Sequence, residues 1–247
     1  MLLALLAVSV PAHAATLPVD PTDSTAYSTI QDAIDAASSG DSITVVAGTF
    51  SECIDTSGKS LTLSGAGASA TTLDGGSACT SALNIEGGET VTLSDLSIDN
   101  ASYRAIRVYG STLIADSVNL SNLGSNATVN GAGILADGAT VSVSNATFSE
   151  NEGGYGAVIH AVAASTVMVS DSTFDSNYAT SDGGAVYAAG GSSYSSEGNT
   201  YVENYSYNSG GALFATGSGT AVSSSETSAS AGRRKSSLRR EAVRSNH

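Results

Sequence analysis

The chain is short of cations. Nine Lys and Arg stand against 23 Asp and Glu over 247 residues, a formal net charge of −14. Six of the nine (Arg233, Arg234, Lys235, Arg239, Arg240 and Arg244) crowd the C-terminal end, so Lys59, Arg104 and Arg107 serve everything before it. Binding a phosphate backbone needs clustered cations, which excludes the body of the chain as a nucleic-acid binder. Acidity favours solubility, and a solvated surface accounts for it. Prolines are few: Pro11, Pro18 and Pro21 all precede the repeats described below, leaving a body in which nearly every N–H can serve a strand ladder. Cysteine appears only as Cys53 and Cys79, 26 residues apart. Two cysteines cannot supply the four ligands of a structural zinc. In an exported chain a disulfide is expected, with two reduced thiols stacked in the core as the alternative. Helical periodicity is absent after residue 40, and no long apolar run follows Leu2–Val10.

What the chain has is a degenerate repeat. Phe148-x-x-Asn151 returns as Phe174-x-x-Asn177 and as Tyr201-x-x-Asn204, at spacings of 26 and 27. A small-residue segment follows each time and reads as a strand: Gly156-Ala157-Val158, Gly183-Gly184-Ala185-Val186, Gly210-Gly211-Ala212-Leu213. A second thread alternates apolar and small polar residues, as in Thr140-Val141-Ser142-Val143-Ser144 and Thr166-Val167-Met168-Val169-Ser170. Weaker copies start at Ser60, Thr90 and Thr112, so that Val91, Leu113, Val141, Val167 and Tyr194 fall 22, 28, 26 and 27 residues apart. Period-two alternation marks strands with one buried face, and self-similarity at roughly 20–50 residues marks a solenoid. The expected fold is therefore all-β, a single-stranded parallel β-helix with about three short strands per coil, separated by Gly, Asn, Asp and Ser turns. Asn151, Asn177 and Asn204 should stack as an amide ladder.

The ends read differently. Met1–Ala14 has the form of a secretory signal, with an apolar run, Pro11, and Ala12-His13-Ala14 before the cleavage point. Residues 15–220 form the expected β-helix domain, opened by a capping helix over about 27–38. In it Ser28-Thr29-Ile30-Gln31 reads as a capping box, Tyr27, Ile30, Ile34 and Ala37 share a face, and Gly40 is the stop. Such a helix would cover the unpaired edge of the first coil. Residues 221–247 are Ser-rich, then basic, and read as a solvated disordered tail, an anion-binding arm, or the product of an altered or truncated reading frame.

Two sets of residues carry a family resemblance. The F-x-x-N and G-G-A-[ILV] pairs resemble the repeat of chlamydial polymorphic outer-membrane proteins. Tyr27-Ser28-Thr29-Ile30-Gln31-Asp32-Ala33-Ile34, Gly40-Asp41 and Val45-x-x-Gly48-Thr49-Phe50 resemble the opening segment of secreted right-handed β-helix proteins of the pectate-lyase-like superfamily. The resemblance spans roughly residues 27–216 and implies a right-handed coil and an extracellular or outer-membrane-surface location in a bacterium. The sequence shows neither the translocator barrel of the first group nor the G-H-G element of related hydrolases.

Function is not fixed by that fold. The expected role is non-catalytic: adhesion, or contact with an extracellular glycan or cell-surface component. No cofactor is expected. The competing expectation is a lyase or hydrolase of acidic polysaccharide. It would rest on Arg104 and Arg107 in Tyr103-Arg104-Ala105-Ile106-Arg107, with Asp95 and Asp99 holding calcium and a uronate. Strand alternation would put the two arginines on opposite faces, so one at most could join the aspartates. Tyr178 and Tyr205, each following a ladder asparagine, are the expected sugar contact. Ile159, Tyr187 and Phe214 are expected to align on one strand face, which is core if it points inward, the favoured reading, and an exposed aromatic stripe and binding site if it points outward. His160, lacking an evident partner, reads as structural.

Overall fold

The computed structural model describes residues 14–124, 128–225 and 228–230. Met1–His13 of the expected signal and the basic residues from Arg233 onward lie outside them. Every strand pair is parallel. The strands form three sheets of 15, seven and three strands that wrap one core. Along the large sheet the path runs coil by coil from Thr16–Val19 to Ala221–Ser225. The chain is a parallel β-solenoid with very little helix.

The alternating thread sets the register. Val91 pairs with Leu113, Leu113 with Val141, Val141 with Val167, and Val167 with Tyr194, all buried. A second file holds Phe148, Phe174 and Tyr201, whose rings stack at centroid distances of 4.6 Å. In the last of these coils both files change to tyrosine, and a buried hydroxyl needs a partner. Tyr194 and Tyr201 supply each other, Oη to Oη at 2.6 Å, and Ser196 Oγ joins at 3.1 Å. Burial pushes the Tyr194 phenol well above its ordinary range and that of Tyr201 up to about 12.

Each later coil carries four strands, where the sequence suggests three. The coil beginning at Thr140 holds Thr140–Ser144, Thr147–Ser149, Glu152–Gly153 and Ile159–Val162. The extra two-residue strand is too short to show a period. The glycine segments are also displaced: Gly156-Ala157-Val158 leads into the strand rather than forming it. Gly156, Gly183 and Gly210 have φ of +58, +68 and +67°, and a Cβ on Gly156 would stand 2.1 Å from the Ile159 carbonyl oxygen. That turn needs glycine.

Two corners of each coil also use the left-handed region. Asp95, Ser117, Asn145 and Asp171 occupy one, and Asn100, Asn122, Glu150, Ser176 and Glu203 the other. Asp and Asn tolerate this region best among non-glycine residues. Between the second corner and the two-residue strand lies the amide ladder. Asn151 Nδ2 donates to Asn177 Oδ1 at 2.9 Å, and Asn177 Nδ2 to Asn204 Oδ1 at 2.8 Å. Each Nδ2 also donates to a backbone carbonyl one coil back, from Leu120, Phe148 or Phe174.

The helix covers the first coil but is shorter than expected and capped differently. It runs Ile30–Ala36 and buries Ile30, Ala33 and Ile34. Thr29, not Ser28, is the N-cap, accepting from Asp32 N at 3.0 Å. Gln31 closes no box, because its amide reaches Asp35 and the Asp55 carbonyl instead. Ala37 ends the helix three residues before Gly40. Charges from the next coil hold both ends. The Glu52 carboxylate accepts from Ile30 N and Gln31 N at 2.9 Å, and Lys59 Nζ donates to the carbonyls of Ile34 and Asp35 at 2.8 and 3.0 Å. Both suit the helix dipole. Pro18 sits within the first strand, at the edge of the large sheet, where its missing N–H costs no ladder bond.

A candidate groove on the seven-stranded sheet

The seven-stranded sheet separates its residues into two files. Ile54, Leu83, Ile106, Ile134, Ile159, Val186 and Leu213 point to the core. Asp55, Asn84, Arg107, Leu135, His160, Tyr187 and Phe214 point out. The aromatic alignment expected from sequence is thus one residue off: His160, not Ile159, stands beside Tyr187 and Phe214. The stripe is an outer one, because a one-residue slip moves a file to the other face. Ile159 is fully buried, whereas His160, Tyr187 and Phe214 are partly exposed.

Two adjoining cavities lie over this outer face. One of about 470 Å³ is bordered by Cys53, Asp55, Asn84, Arg104 and Arg107. The other, about 480 Å³, is bordered by Tyr103, Arg104, Asn130, Leu135, Asp137 and His160. Arg104 and Thr80 border both, so the two form one groove along several coils. Arg104 stands in the turn before the strand Ile106–Tyr109, where strand alternation does not apply. Both arginines therefore reach the first cavity, against the sequence expectation that they would part.

Their surroundings differ. Arg107 Nη1 donates to Asn84 Oδ1 at 3.0 Å and to Glu86 Oε2 at 2.7 Å, and its guanidinium lies 5.1 Å from the Tyr109 ring centroid. Asn84 in turn donates to Asp55 Oδ2. Among the described residues Arg104 is held only by carbonyls, Nε donating to Gly131 O at 3.1 Å and Nη2 to Asn130 O at 2.8 Å. It has no carboxylate partner: the ion pair among the described residues is Arg107–Glu86. Burial, and then the charge of Arg107, bring Arg104 down to about 10, which leaves it cationic at neutral pH.

His160 forms the far wall. Its ring centroid lies 5.2 Å from that of Tyr187 and 6.5 Å from that of Tyr155, and Nδ1 is buried with no hydrogen-bond partner. Burial, and then Arg104, lower it to about 4, so it is neutral at pH 7. Only the register, by placing His160 level with Tyr187, shows that it belongs here.

The aspartates paired with the arginines in the sequence reading are elsewhere. Asp95 occupies an exposed left-handed corner. Asp99 serves the next corner, accepting from Asn100 N and Asn122 Nδ2 at 2.9 and 3.0 Å and from Ser121 Oγ at 3.4 Å. Neither borders the groove. No three His, Cys, Asp or Glu among the described residues stand close enough to hold a metal ion, so the calcium-binding arrangement expected for a lyase does not fit these residues. Tyr178 and Tyr205 pair across the short sheet with rings 5.5 Å apart and 3° from parallel. Cys53 and Cys79 form a disulfide between the first coils, Cα to Cα 5.6 Å.

A model of the Chlamydia polymorphic membrane protein repeat matches residues 171–189. No curated protein sequence matches the chain. Among solved structures, the chain is similar to carrot pectin methylesterase (TM-score 0.59, 12% identity, 90% of this chain and 84% of that one). It is similar to the Erwinia chrysanthemi pectin methylesterase PemA at 0.56 and 14%, over 78% of this chain and 67% of that one. It is also similar to a PL6-family alginate lyase at 0.53 and 11%, over 87% of this chain but 39% of the enzyme. At these identities the likeness concerns the fold: the chain is a right-handed parallel β-helix.

Proposed function

We propose that this is a secreted or surface-displayed β-helix protein that holds an acidic polysaccharide in the groove of the seven-stranded sheet. One observation carries the reading. Two of the three cations in the body of a strongly acidic chain sit side by side in one groove, and Arg104 is half-buried there with no carboxylate against it. A buried cation without a counter-charge is costly, and a uronate carboxylate entering the cavity would supply the missing anion. Guanidinium groups bind carboxylates through directed, often bidentate, hydrogen bonds. The repeat match and the polysaccharide-modifying proteins of similar fold support a surface location and a saccharide ligand. Among the described residues no helix is long and apolar enough to cross a membrane.

Tyr178 and Tyr205 border neither cavity, and their stacked rings cover each other's facing surfaces, so the groove carries the reading rather than this pair. The test is calorimetric binding of galacturonate and guluronate oligosaccharides against neutral ones. Arg104→Gln should weaken acidic-oligosaccharide binding about 10–100-fold, the scale of a charged hydrogen bond. Equal affinity for neutral sugars, or unchanged affinity in Arg104→Gln, would overturn it. Release of unsaturated products, lost in Arg104→Ala and Arg107→Ala, would instead establish a lyase, the second reading that the alginate lyase fold keeps in play.

A further inference from the structure

The two cavities of the groove share Arg104 but differ in what else they present. In the first, Asp55 is tied to Ser57 N and Asn84 Nδ2, at 2.7 and 2.6 Å, so Arg104 and Arg107 border the cavity with no free carboxylate beside them. The second is bordered by Leu135, Val162 and the exposed Tyr103, and its histidine, His160, is neutral at pH 7. The charge that remains there, besides Arg104 at the edge, is Asp137. It stands two residues after Leu135, on the outward side of the strand Ile134–Asp137, and is half-buried. Its register neighbours are Tyr109 and Val162, neither of them a cation. Among the described residues its carboxylate has neither a hydrogen bond nor an ion pair.

We propose that the second cavity is a subsite for an uncharged sugar, so that the groove selects a polysaccharide in which a uronate adjoins a neutral residue over an unbroken run of uronates. This rests on the reading of the groove as an acidic-saccharide site and names the class of saccharide. A uronate in the second cavity would set its carboxylate against that of Asp137, and like charges in a partly buried site repel because little water screens them. Arg104 does not offset this. Its Nε and Nη2 are fixed on Gly131 O and Asn130 O, it makes no ion pair with Asp137, and its charge serves the uronate of the first cavity. A neutral sugar meets the same surroundings favourably. Its hydroxyls donate to the Asp137 carboxylate, a charge-assisted hydrogen bond, while its C–H groups lie against the apolar side chains of Leu135 and Val162. Asp137 thus determines specificity as much by conflict with the wrong residue as by contact with the right one.

The experiment compares two trisaccharides on the full chain by calorimetry. One is three galacturonates; the other is a single galacturonate between two neutral hexoses, so that either chain direction places a neutral residue in the second cavity. The wild type should bind the mixed trisaccharide about tenfold more tightly, the scale of a like-charge repulsion across a partly wet site. Asp137→Asn keeps the size of the side chain and removes its charge. It should tighten the all-galacturonate ligand about tenfold and so abolish the preference. Arg104→Gln should weaken both ligands, which reads the first cavity separately. Melting temperatures within the wild-type range show that the variants are folded. A wild type that binds both trisaccharides equally or prefers the all-galacturonate one, or a preference that survives Asp137→Asn, overturns the subsite while leaving the Arg104 site standing. A wild type that binds neither trisaccharide overturns both.

Discussion

The inward and outward files of this solenoid follow opposite rules. Inside, register neighbours are the same or nearly so: Val141, Val167 and Tyr194; Phe148, Phe174 and Tyr201; Asn151, Asn177 and Asn204. On the outer face of the seven-stranded sheet Asn84, Arg107, Leu135 and His160 differ from one coil to the next, and the aromatic pair Tyr187 and Phe214 is the exception. Each inner position meets the same demand in each coil, so the repeat is kept. The outer positions share only the backbone ladder, and their side chains are free to differ. Within a repeat protein, register without repetition marks where recognition can reside.

The contrast is tested hardest by breaking the inner files. Phe174→Ala would open a cavity between the rings of Phe148 and Tyr201, each 4.6 Å away. A loss of about 3–5 kcal/mol is expected, lowering the melting temperature by roughly 10 °C for a chain of this size. Thermal unfolding followed by circular dichroism measures it. A loss below about 1 kcal/mol would mean that the stack adds little to the core.

Asn177→Ala comes next. It removes the acceptor for Asn151 Nδ2 and for the Asn151 backbone N–H, and the donor to the Phe148 carbonyl and Asn204. Buried groups left without partners cost about 1–3 kcal/mol. Urea denaturation should show that loss with little change in slope. Asn204→Ala, at the more open end of the ladder, should cost less.

His160 links the two faces through pH. Its folded value of about 4 lies below the ordinary 6.5, so between those values the unfolded chain binds more protons and stability falls as pH falls. Above about pH 6.5 this contribution is complete; below about 4 it is gone. His160→Phe removes it. The gap between wild type and variant should shift toward the variant by on the order of 1 kcal/mol from pH 7 to pH 5. A gap that is constant across that window would show that the imidazole can be charged in place. The imidazole faces Arg104, Tyr155 and Tyr187, and Asp137 borders the same cavity. Of these, only Asp137 would favour the charged form.

This also explains what the sequence made legible. The T-V-x-V-S and F-x-x-N threads exposed the inner files, because a demand repeated every coil leaves a repeated residue. The asparagine ladder and the order of core positions could be read from spacing alone. The groove could not. Val158-Ile159-His160 offers two alignments with Tyr187 and Phe214, and a one-residue slip between them reverses the face. Strand alternation sends Arg104 away from Arg107, but Arg104 lies in the turn before Ile106–Tyr109, where alternation does not apply. Glu52 and Lys59 clamp the helix across 22 and 25 residues, a distance over which no local pattern exists.

The smallest change in stability should give the clearest statement about the outer face. Glu86 and Arg107 form an ion pair with side chains 47% and 33% exposed, and such pairs contribute about 0–1 kcal/mol. Glu86→Gln should therefore leave the melting temperature within about 2 °C of wild type. Its effect on binding should be of the opposite sense to that of any core variant. It removes the carboxylate that competes for Arg107 Nη1 and lowers the negative charge at the groove, so acidic oligosaccharides should bind severalfold more tightly. The gain should shrink as salt rises, since partly exposed charges are screened over about 8 Å at physiological ionic strength. A Glu86→Gln variant that binds acidic oligosaccharide more weakly would mean that Glu86 positions Arg107 for the ligand rather than competing with it. Arg107 would then belong to the fixed framework of the solenoid, leaving Arg104 as the sole anion contact.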